Sequence, residues 1–190
     1  MKARDDLIFK AEASIRYHKC RAEHFGARNR WISILSIFSG TGVVAGTLAQ
    51  YPSVALALGI IIAFANAYKL AAKPDQVAGD HEKWSSEWSH LQGEVKGIPQ
   101  PGDEQMAKWH ARVSEINGQC TEDMKVVKNH CWNEAMTSLG PPDIPYTFTL
   151  FQRWTKHFLR HAHGFDRQNQ AAVKAAAERR AREGAGAGNG

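Results

Sequence analysis

The sequence predicts an all-α membrane protein, in which a long N-terminal helix leads into a two-helix transmembrane hairpin that is followed by a cytoplasmic helical bundle. Two observations predict this class. Two long apolar runs lie close together within residues 31–72, and almost all charged residues lie outside them. The averages conceal this segregation, because a net charge of +5, a mean hydropathy of −0.43 and 23% charged residues describe an ordinary soluble domain.

The two apolar runs have the length of transmembrane helices. Residues 31–49 contain no charge and would form a helix roughly 28 Å long, close to the ~30 Å of the hydrocarbon core. Residues 53–72 are interrupted only by Lys69, whose stem can reach the headgroups from near the end of the span. The short connection between the runs allows only a tight turn, so the spans at 31–49 and 53–72 form a hairpin.

Other interpretations of the apolar runs are weaker. A cleaved signal peptide is disfavoured because about thirty largely polar residues precede the first run and a second run follows at once. A buried hairpin in a soluble protein would need a surrounding shell of helices that a chain of this size can hardly supply. A re-entrant hairpin would usually be shorter.

Basic residues predict the orientation of the hairpin. Residues 1–30 carry eight lysines and arginines against four acids, and Lys69 and Lys73 stand at the end of the second span. The turn between the spans carries no charge. Since basic flanks remain in the cytoplasm, we expect a multi-pass protein of the inner (cytoplasmic) membrane with both termini cytoplasmic.

The sequence also predicts helices outside the two membrane spans. Residues 1–30 form a basic cytoplasmic helix from about Asp5 that runs into the first span, with His18 on its apolar stripe as an interface residue rather than a ligand. Residues 73–165 form the cytoplasmic helical region, and residues 166–190 form an Ala/Arg/Gly-rich tail that is partly disordered.

Three helices are predicted within the cytoplasmic region. The first begins at Asp80 as N-cap and is broken by residues 98–103. The second is longer, runs on a three-four spacing from Met106 to Cys131 and ends at a Gly-Pro-Pro sequence at 140–142. The third covers about residues 146–161.

The sequence contains no constellation that supports catalysis. His157 and His161 have the spacing that places two rings on one helix face, but no zincin glutamate lies between them and no third ligand is evident. Cys120 and Cys131 fit packing on one helix better than metal binding, and with Cys20 they are an odd set of reduced thiols. We therefore predict no enzyme, no cofactor and no metal site. The basic N-terminal helix is explained by topology, so no nucleic acid partner is expected.

Polar and small residues form distinct faces on the spans. Taking 100° per residue, hydroxyl and small residues align along one side of the first span, and an asparagine of the second span can join them. These are the predicted pore-lining residues: Ser33, Ser36, Gly40, Thr47 and Asn66. Hydroxyls in lipid can also bond their own helix backbone, and the sequence leaves both roles open.

A second set of small residues predicts close helix packing. They recur four apart in both spans, which permits the close approach on which van der Waals attraction between membrane helices depends. The predicted packing residues are Gly42, Gly46, Ala55, Gly59 and Ala63. The hairpin, or a homo-oligomer of hairpins, should close through these faces.

The basic helix YHKCRAEHFGARNRW runs into the hairpin, and the tryptophan-rich segment WSSEWSHLQGE follows the hairpin. In these segments the chain resembles the SLATT family, the two-transmembrane effector domains of bacterial conflict systems, and the resemblance covers roughly residues 5–160. It implies an anti-phage membrane effector that forms pores when a nucleotide-generating or nucleotide-sensing partner signals infection, and it implies no catalytic residues. The alternative is a membrane-anchored interaction module that recruits a partner through its cytoplasmic helices.

Overall fold

The protein is represented by a computed structural model, which describes residues 2–39, 50–120, 124–139 and 146–157. Over these ranges it is helical and contains no strand, which confirms the all-α class. The helices are α1 (Lys2–Ser39), α2 (Pro52–Ala72), α3 (Pro74–Gly97), α4 (Asp103–Gln119), α5 (Lys125–Leu139) and α6 (Leu150–Thr155). The chain divides into unit 1, Met1–His18 with Trp84–Gly190, and unit 2, Lys19–Lys83.

Helix α1 is continuous over 38 residues, as the absence of proline predicts. It begins at Lys2, three residues before the predicted start at Asp5, and it passes through Gly26 without a break. A glycine inside a helix costs only about 1 kcal/mol relative to alanine, so one glycine does not end a helix of this length.

The predicted start of the next helix at Asp80 is wrong. Helix α3 already begins at Pro74, and Asp80 lies inside it. Lys73 ends α2 in the left-handed conformation (φ 42°, ψ 56°), and its N–H donates to the carbonyl of Lys69 at 3.1 Å. Proline is suited to the first turn of a helix because it lacks an N–H that would have no partner there, so α3 can start immediately after this residue.

The single long helix predicted from Met106 to Cys131 is also wrong. It is divided into α4 and α5, and Cys120 between them has an extended backbone (φ −94°, ψ 106°). Gly118 and Cys120 are poor helix formers, and this local preference outweighs the apolar spacing that continues across the break. Cys120 and Cys131 therefore do not share a helix as predicted.

The last described helix is shorter at its start than predicted. Residues 146–149 are not helical, and α6 begins at Leu150 because Thr149 caps it. The Thr149 hydroxyl accepts from the N–H of Gln152 at 3.2 Å, and the Gln152 side chain accepts from the N–H of Thr149 at 2.9 Å. Helix α6 is also shorter at its end than predicted, since it ends at Thr155 rather than near residue 161 and residues 156–157 form a turn. The predicted breaker at 140–142 and the tail at 166–190 lie outside the described residues.

Unit 1 has a hydrophobic core contributed by three helices. The apolar stripes of α1, α3 and α4 meet there, as their three-four spacing predicts. The buried members are Leu7, Ala11 and Ile15 of α1, Trp88, Leu91 and Val95 of α3, and Trp109, Val113 and Ile116 of α4.

Helix α5 packs on α1 at another side of unit 1. Its Val126, Val127, Cys131 and Ala135 are buried. The rings of Phe9 and Trp132 meet edge to face with centroids 4.4 Å apart. The hydroxyl of Tyr17 accepts from the N–H of Met124 at 3.3 Å, just before α5 begins.

The C-terminal end of α3 is capped from α1. The guanidinium of Arg4 donates to the carbonyls of Val95, Lys96 and Ile98 at 3.0 to 3.2 Å. The last carbonyls of a helix have no partner within the helix and carry partial negative charge, so a cation there satisfies both needs. This contact fixes the first turn of α1 against the end of α3.

We predict that Ile116→Ala lowers the free energy of unfolding of unit 1 by about 2–5 kcal/mol, because it leaves a cavity in a core position that is 0% exposed. Ile98→Ala is the matched control, since Ile98 is 39% exposed, and it should cost only about 0.5 kcal/mol. Denaturant unfolding followed by tryptophan fluorescence measures both. Equal losses for the two variants would contradict the placement of the core.

A carboxylate of α1 is held in a polar contact with α3. Gln92 donates to Glu12 at 3.0 Å, and Arg16 donates to the other carboxylate oxygen at 2.8 Å. The hydrogen bond from Gln92 lowers the pKa of Glu12, burial opposes this, and Arg16 lowers the pKa further.

We predict that the lowered pKa of Glu12 makes unit 1 less stable in acid. Stabilisation by the charged form is complete above the ordinary pKa of 4.5 and is lost as the pH falls through the lower pKa of the folded state. The difference in unfolding free energy between wild type and Glu12→Gln should therefore shrink as the pH falls below 4.5. Thermal unfolding at a series of pH values tests this, and a difference that grows in acid would refute it.

Candidate functional site: polar contacts between α1 and α2

Helix α2 is largely apolar and has no buried residue. Leu56, Phe64 and Leu70 are 67%, 73% and 79% exposed. Among the described residues it is the one helix that is long and apolar enough to cross a membrane. This confirms an apolar helix where the second span was predicted, at 53–72. Contiguous apolar exposure of this kind is rare in soluble monomers and marks a surface that contacts a membrane or another protein.

The C-terminal part of α1 resembles α2 in its exposure. Trp31, Ile37 and Phe38 are 66%, 70% and 63% exposed. The predicted first span is described only as far as Ser39, and residues 40–49 lie outside the described residues. The predicted pore residues Gly40 and Thr47 and the predicted packing residues Gly42 and Gly46 are among them.

Two polar contacts join α1 and α2 within this apolar region. The ammonium of Lys69 donates to the hydroxyl of Ser33 at 2.9 Å, and the hydroxyl oxygen of Ser36 lies 2.8 Å from Oδ1 of Asn66. From the first contact to the second, the residue number increases in α1 and decreases in α2, so the two helices run antiparallel here. The Ser36 pair lies about 4.5 Å further along the helix axis than the Ser33 pair.

The two serines also bond their own helix. Ser33 donates to the carbonyl of Asn29 at 2.9 Å, and Ser36 lies 2.9 Å from the carbonyl of Ile32. Ser33 can do this and still accept from Lys69. The hydroxyl of Ser36 has one proton, so it donates either to Ile32 or to Asn66 at a given moment. Backbone bonding and contact with a polar partner therefore coexist at these positions.

The structure brings together three of the five residues predicted to line a pore, Ser33, Ser36 and Asn66. It adds Lys69, which the sequence analysis assigned only to the headgroup region. The signal was present in the spacing, because Lys69 follows Asn66 by three positions and so shares its side of α2.

Within the described part of the chain, the predicted packing residues of α2 do not pack against α1. Gly59 and Ala63 are exposed and Ala55 is partly buried. A Cβ added to Gly59 would meet no described atom within 4 Å.

Aromatic and cationic side chains contact one another in unit 2. Arg28 lies over the ring of Tyr68 at 4.6 Å, one residue before Lys69. Nearer the start of unit 2, Arg21 lies over Phe25 at 4.6 Å, and Phe25 stacks on His81. A guanidinium over the face of an aromatic ring is attracted by the ring quadrupole, so these contacts stabilise the packing of unit 2.

No protein-family model, curated protein or solved structure matches this chain.

The described residues contain no group of three or more His, Cys, Asp or Glu side chains placed to hold a metal ion. His157 lies in the turn after α6, and its predicted companion His161 lies outside the described residues. What the site between α1 and α2 can do is bind water or ions along a narrow polar strip, through two hydroxyls, one amide and one ammonium group.

We predict a measurable coupling between Ser36 and Asn66. In a double-mutant cycle, Ser36→Ala and Asn66→Ala should show a coupling energy of about 0.6 kcal/mol and up to ~1.7 kcal/mol, the range for hydrogen bonds between membrane helices. Reversible unfolding in mixed micelles measures it. Pairing Ser36→Ala with Leu56→Ala, whose side chain is exposed, is the control and should give no coupling. Equal coupling energies in the two cycles would show that Ser36 and Asn66 do not interact.

Proposed function

We propose that this chain is an effector of the inner membrane, whose two spans insert as a hairpin, oligomerise and permeabilise the membrane in a bacterial conflict or anti-phage system. The proposal includes two spans at 31–49 and 53–72, both termini in the cytoplasm and no catalytic activity. One observation carries it, the pair of polar contacts between two otherwise apolar helix segments.

Charge and exposure support the hairpin topology. Both α2 and the C-terminal part of α1 expose apolar side chains that water would disfavour and lipid would accommodate. Arg28, Lys69 and Lys73 lie toward one end of the antiparallel pair, and the turn at residues 50–53 carries no charge. This is the asymmetry expected of a hairpin that enters the membrane from the cytoplasm.

The polar contacts support a role beyond anchoring. A hairpin that only anchors a domain needs apolar side chains, and each polar group placed among them carries a desolvation cost. Here two serines, an asparagine and a lysine lie at successive levels, and Asn66 is exposed. In an oligomer the same groups would line a path that water can enter, because a regular helix needs none of them to satisfy its backbone.

The exposed small-residue face supports an oligomer. A Cβ added to Gly59 would meet no described atom within 4 Å, and small residues four apart, such as Gly59 and Ala63, are typical of contacts between membrane helices. The hairpin would thus use one side of α2 for α1 and another for its neighbour.

The resemblance to the SLATT family supports the effector role and the nature of the trigger. It rests on the basic helix that leads into the first span and on the tryptophan-rich segment after the second. A nucleotide-generating or nucleotide-sensing partner is therefore part of the proposal, and unit 1 is the region that such a partner would engage.

The second candidate is a membrane-anchored interaction module. It is favoured by the separate core of unit 1 and by the exposed Leu150 and Phe151 of α6, which are 83% and 62% exposed and offer an apolar contact. In this function the polar strip would have no role.

We predict that Ser36→Leu and Asn66→Leu abolish permeabilisation, because a bulky apolar side chain removes a hydration site from the path. Leu56→Ala, an exposed position on α2, is the control and should keep activity. The measurement is ion flux from liposomes containing purified protein, with toxicity and a membrane-potential dye in cells as a second readout. Expression and membrane insertion should be unchanged in all variants.

The anchor function predicts that all these variants behave as wild type in cells while partner capture by unit 1 persists. A wild-type protein that releases no ions from liposomes in the presence of its activating partner would end the pore proposal.

A further inference from the structure

Lys69 is the charged member of the polar contacts between α1 and α2. Its side chain is partly buried, and its ammonium group donates to the hydroxyl of Ser33 at 2.9 Å. Ser33 belongs to the predicted first span, which begins at Trp31. The ammonium group therefore reaches across to α1 within the predicted span rather than outward to the headgroups.

The sequence of the hairpin supplies no acidic residue to balance this charge. Residues 24–74 contain no aspartate or glutamate, and the nearest acids in sequence, Glu23 and Asp75, lie outside both predicted spans. The same stretch contains three further basic residues, Arg28, Arg30 and Lys73. The structure places Lys69 against a neutral hydroxyl, which orients the ammonium group and leaves its charge uncompensated.

The groups beside Lys69 also present hydrogen-bond donors. Ser33 uses its own proton for the carbonyl of Asn29, so it accepts from Lys69 and takes up one of the three N–H donors of the ammonium group. One turn further, the amide oxygen of Asn66 lies 2.8 Å from the hydroxyl of Ser36, and the NH2 group of the same amide is another donor. Positive charge combined with N–H donors is the chemistry that binds anions.

We propose that the path formed by these polar contacts selects small inorganic anions such as chloride, and that Lys69 is the residue that determines this preference. The inference rests on the proposed function, because the path exists only in the oligomer. Each copy would contribute one lysine at the same level, and a ring of lysine or arginine side chains is a known means by which pores select anions. In a narrow path little water separates the charge from a passing ion, so it enriches anions and repels cations.

A lysine near the end of a span can instead have a purely anchoring role. Its charge is favourable in the last turn of α2, where the helix dipole is negative, and its stem can extend to the headgroups. In that role the charge would lie beside the path, and removing it would leave the ion preference unchanged. The ion preference therefore distinguishes the two roles of Lys69.

The test is the reversal potential of the full chain in planar bilayers of neutral lipid under a gradient of KCl. Neutral lipid is used so that charged headgroups impose no preference of their own. The wild type should pass chloride in preference to potassium by roughly tenfold, the lower end of the enrichment that a focused charge produces. Equal passage of the two ions, or a preference for potassium, would overturn the inference and leave the proposed permeabilisation intact. A wild type that passes no ions would refute the proposed function and this inference with it.

Substitutions assign the preference to one residue. Lys69→Gln should bring the permeability ratio close to unity, Lys69→Glu should favour potassium, and Lys69→Arg should retain the preference for chloride. An unchanged preference in Lys69→Gln would show that the lysine only anchors the helix.

Lys73→Gln is the matched control, because it removes the same charge from an exposed position one helical turn further along the chain. In 1 M salt the Debye length is about 3 Å, so a charge outside the path contributes little, whereas a charge inside it is screened much less. Lys73→Gln should therefore keep the permeability ratio of the wild type. Loss of the preference in Lys73→Gln rather than in Lys69→Gln would overturn the assignment.

Discussion

The apolar edge of α1 formed by Leu7, Ala11 and Ile15 is the surface on which the folding of unit 1 depends. Trp88 of α3 and Trp109 of α4 are buried in the same core, and α5 packs on a neighbouring side of α1 through Trp132. An isolated helix of ordinary composition is only marginally stable in water. The helices that pack on α1 therefore stabilise it, and α1 in turn stabilises them. Polar contacts such as those of Arg4 and Glu12 then fix the alignment of α1 with α3, because hydrogen-bond geometry is directional where apolar burial is not.

The sequence predicted what periodicity and hydropathy encode. The helical class and the long α1 follow from spacing, and the apolar helix at 53–72 follows from hydropathy. The boundaries that were wrong depend on local backbone preferences. Nothing in the spacing indicates that Lys73 adopts a left-handed conformation and lets a helix start at Pro74, or that the chain becomes extended at Cys120 although apolar residues continue on the same period.

The candidate site could be predicted in part for a similar reason. Helical geometry places Ser33 and Ser36 on one side of α1, so their alignment was predictable. Their partners depend on how α1 and α2 are aligned, which is a property of the pair and is not encoded in either segment. Lys69 therefore appeared in the sequence as a residue that reaches the headgroups, and it appears in the structure as the donor to Ser33.

The junction at Lys73 has a mechanical consequence. One residue forms the whole connection between α2 and α3, so there is no slack to absorb a displacement of α2 along its axis. Such a displacement passes directly to the first turn of α3. The backbone of Lys73 can nevertheless rotate. A non-glycine residue in the left-handed region is disfavoured by about 1–2 kcal/mol, so rotation out of this region is favourable for Lys73 itself. The connection is thus rigid in length and adjustable in angle.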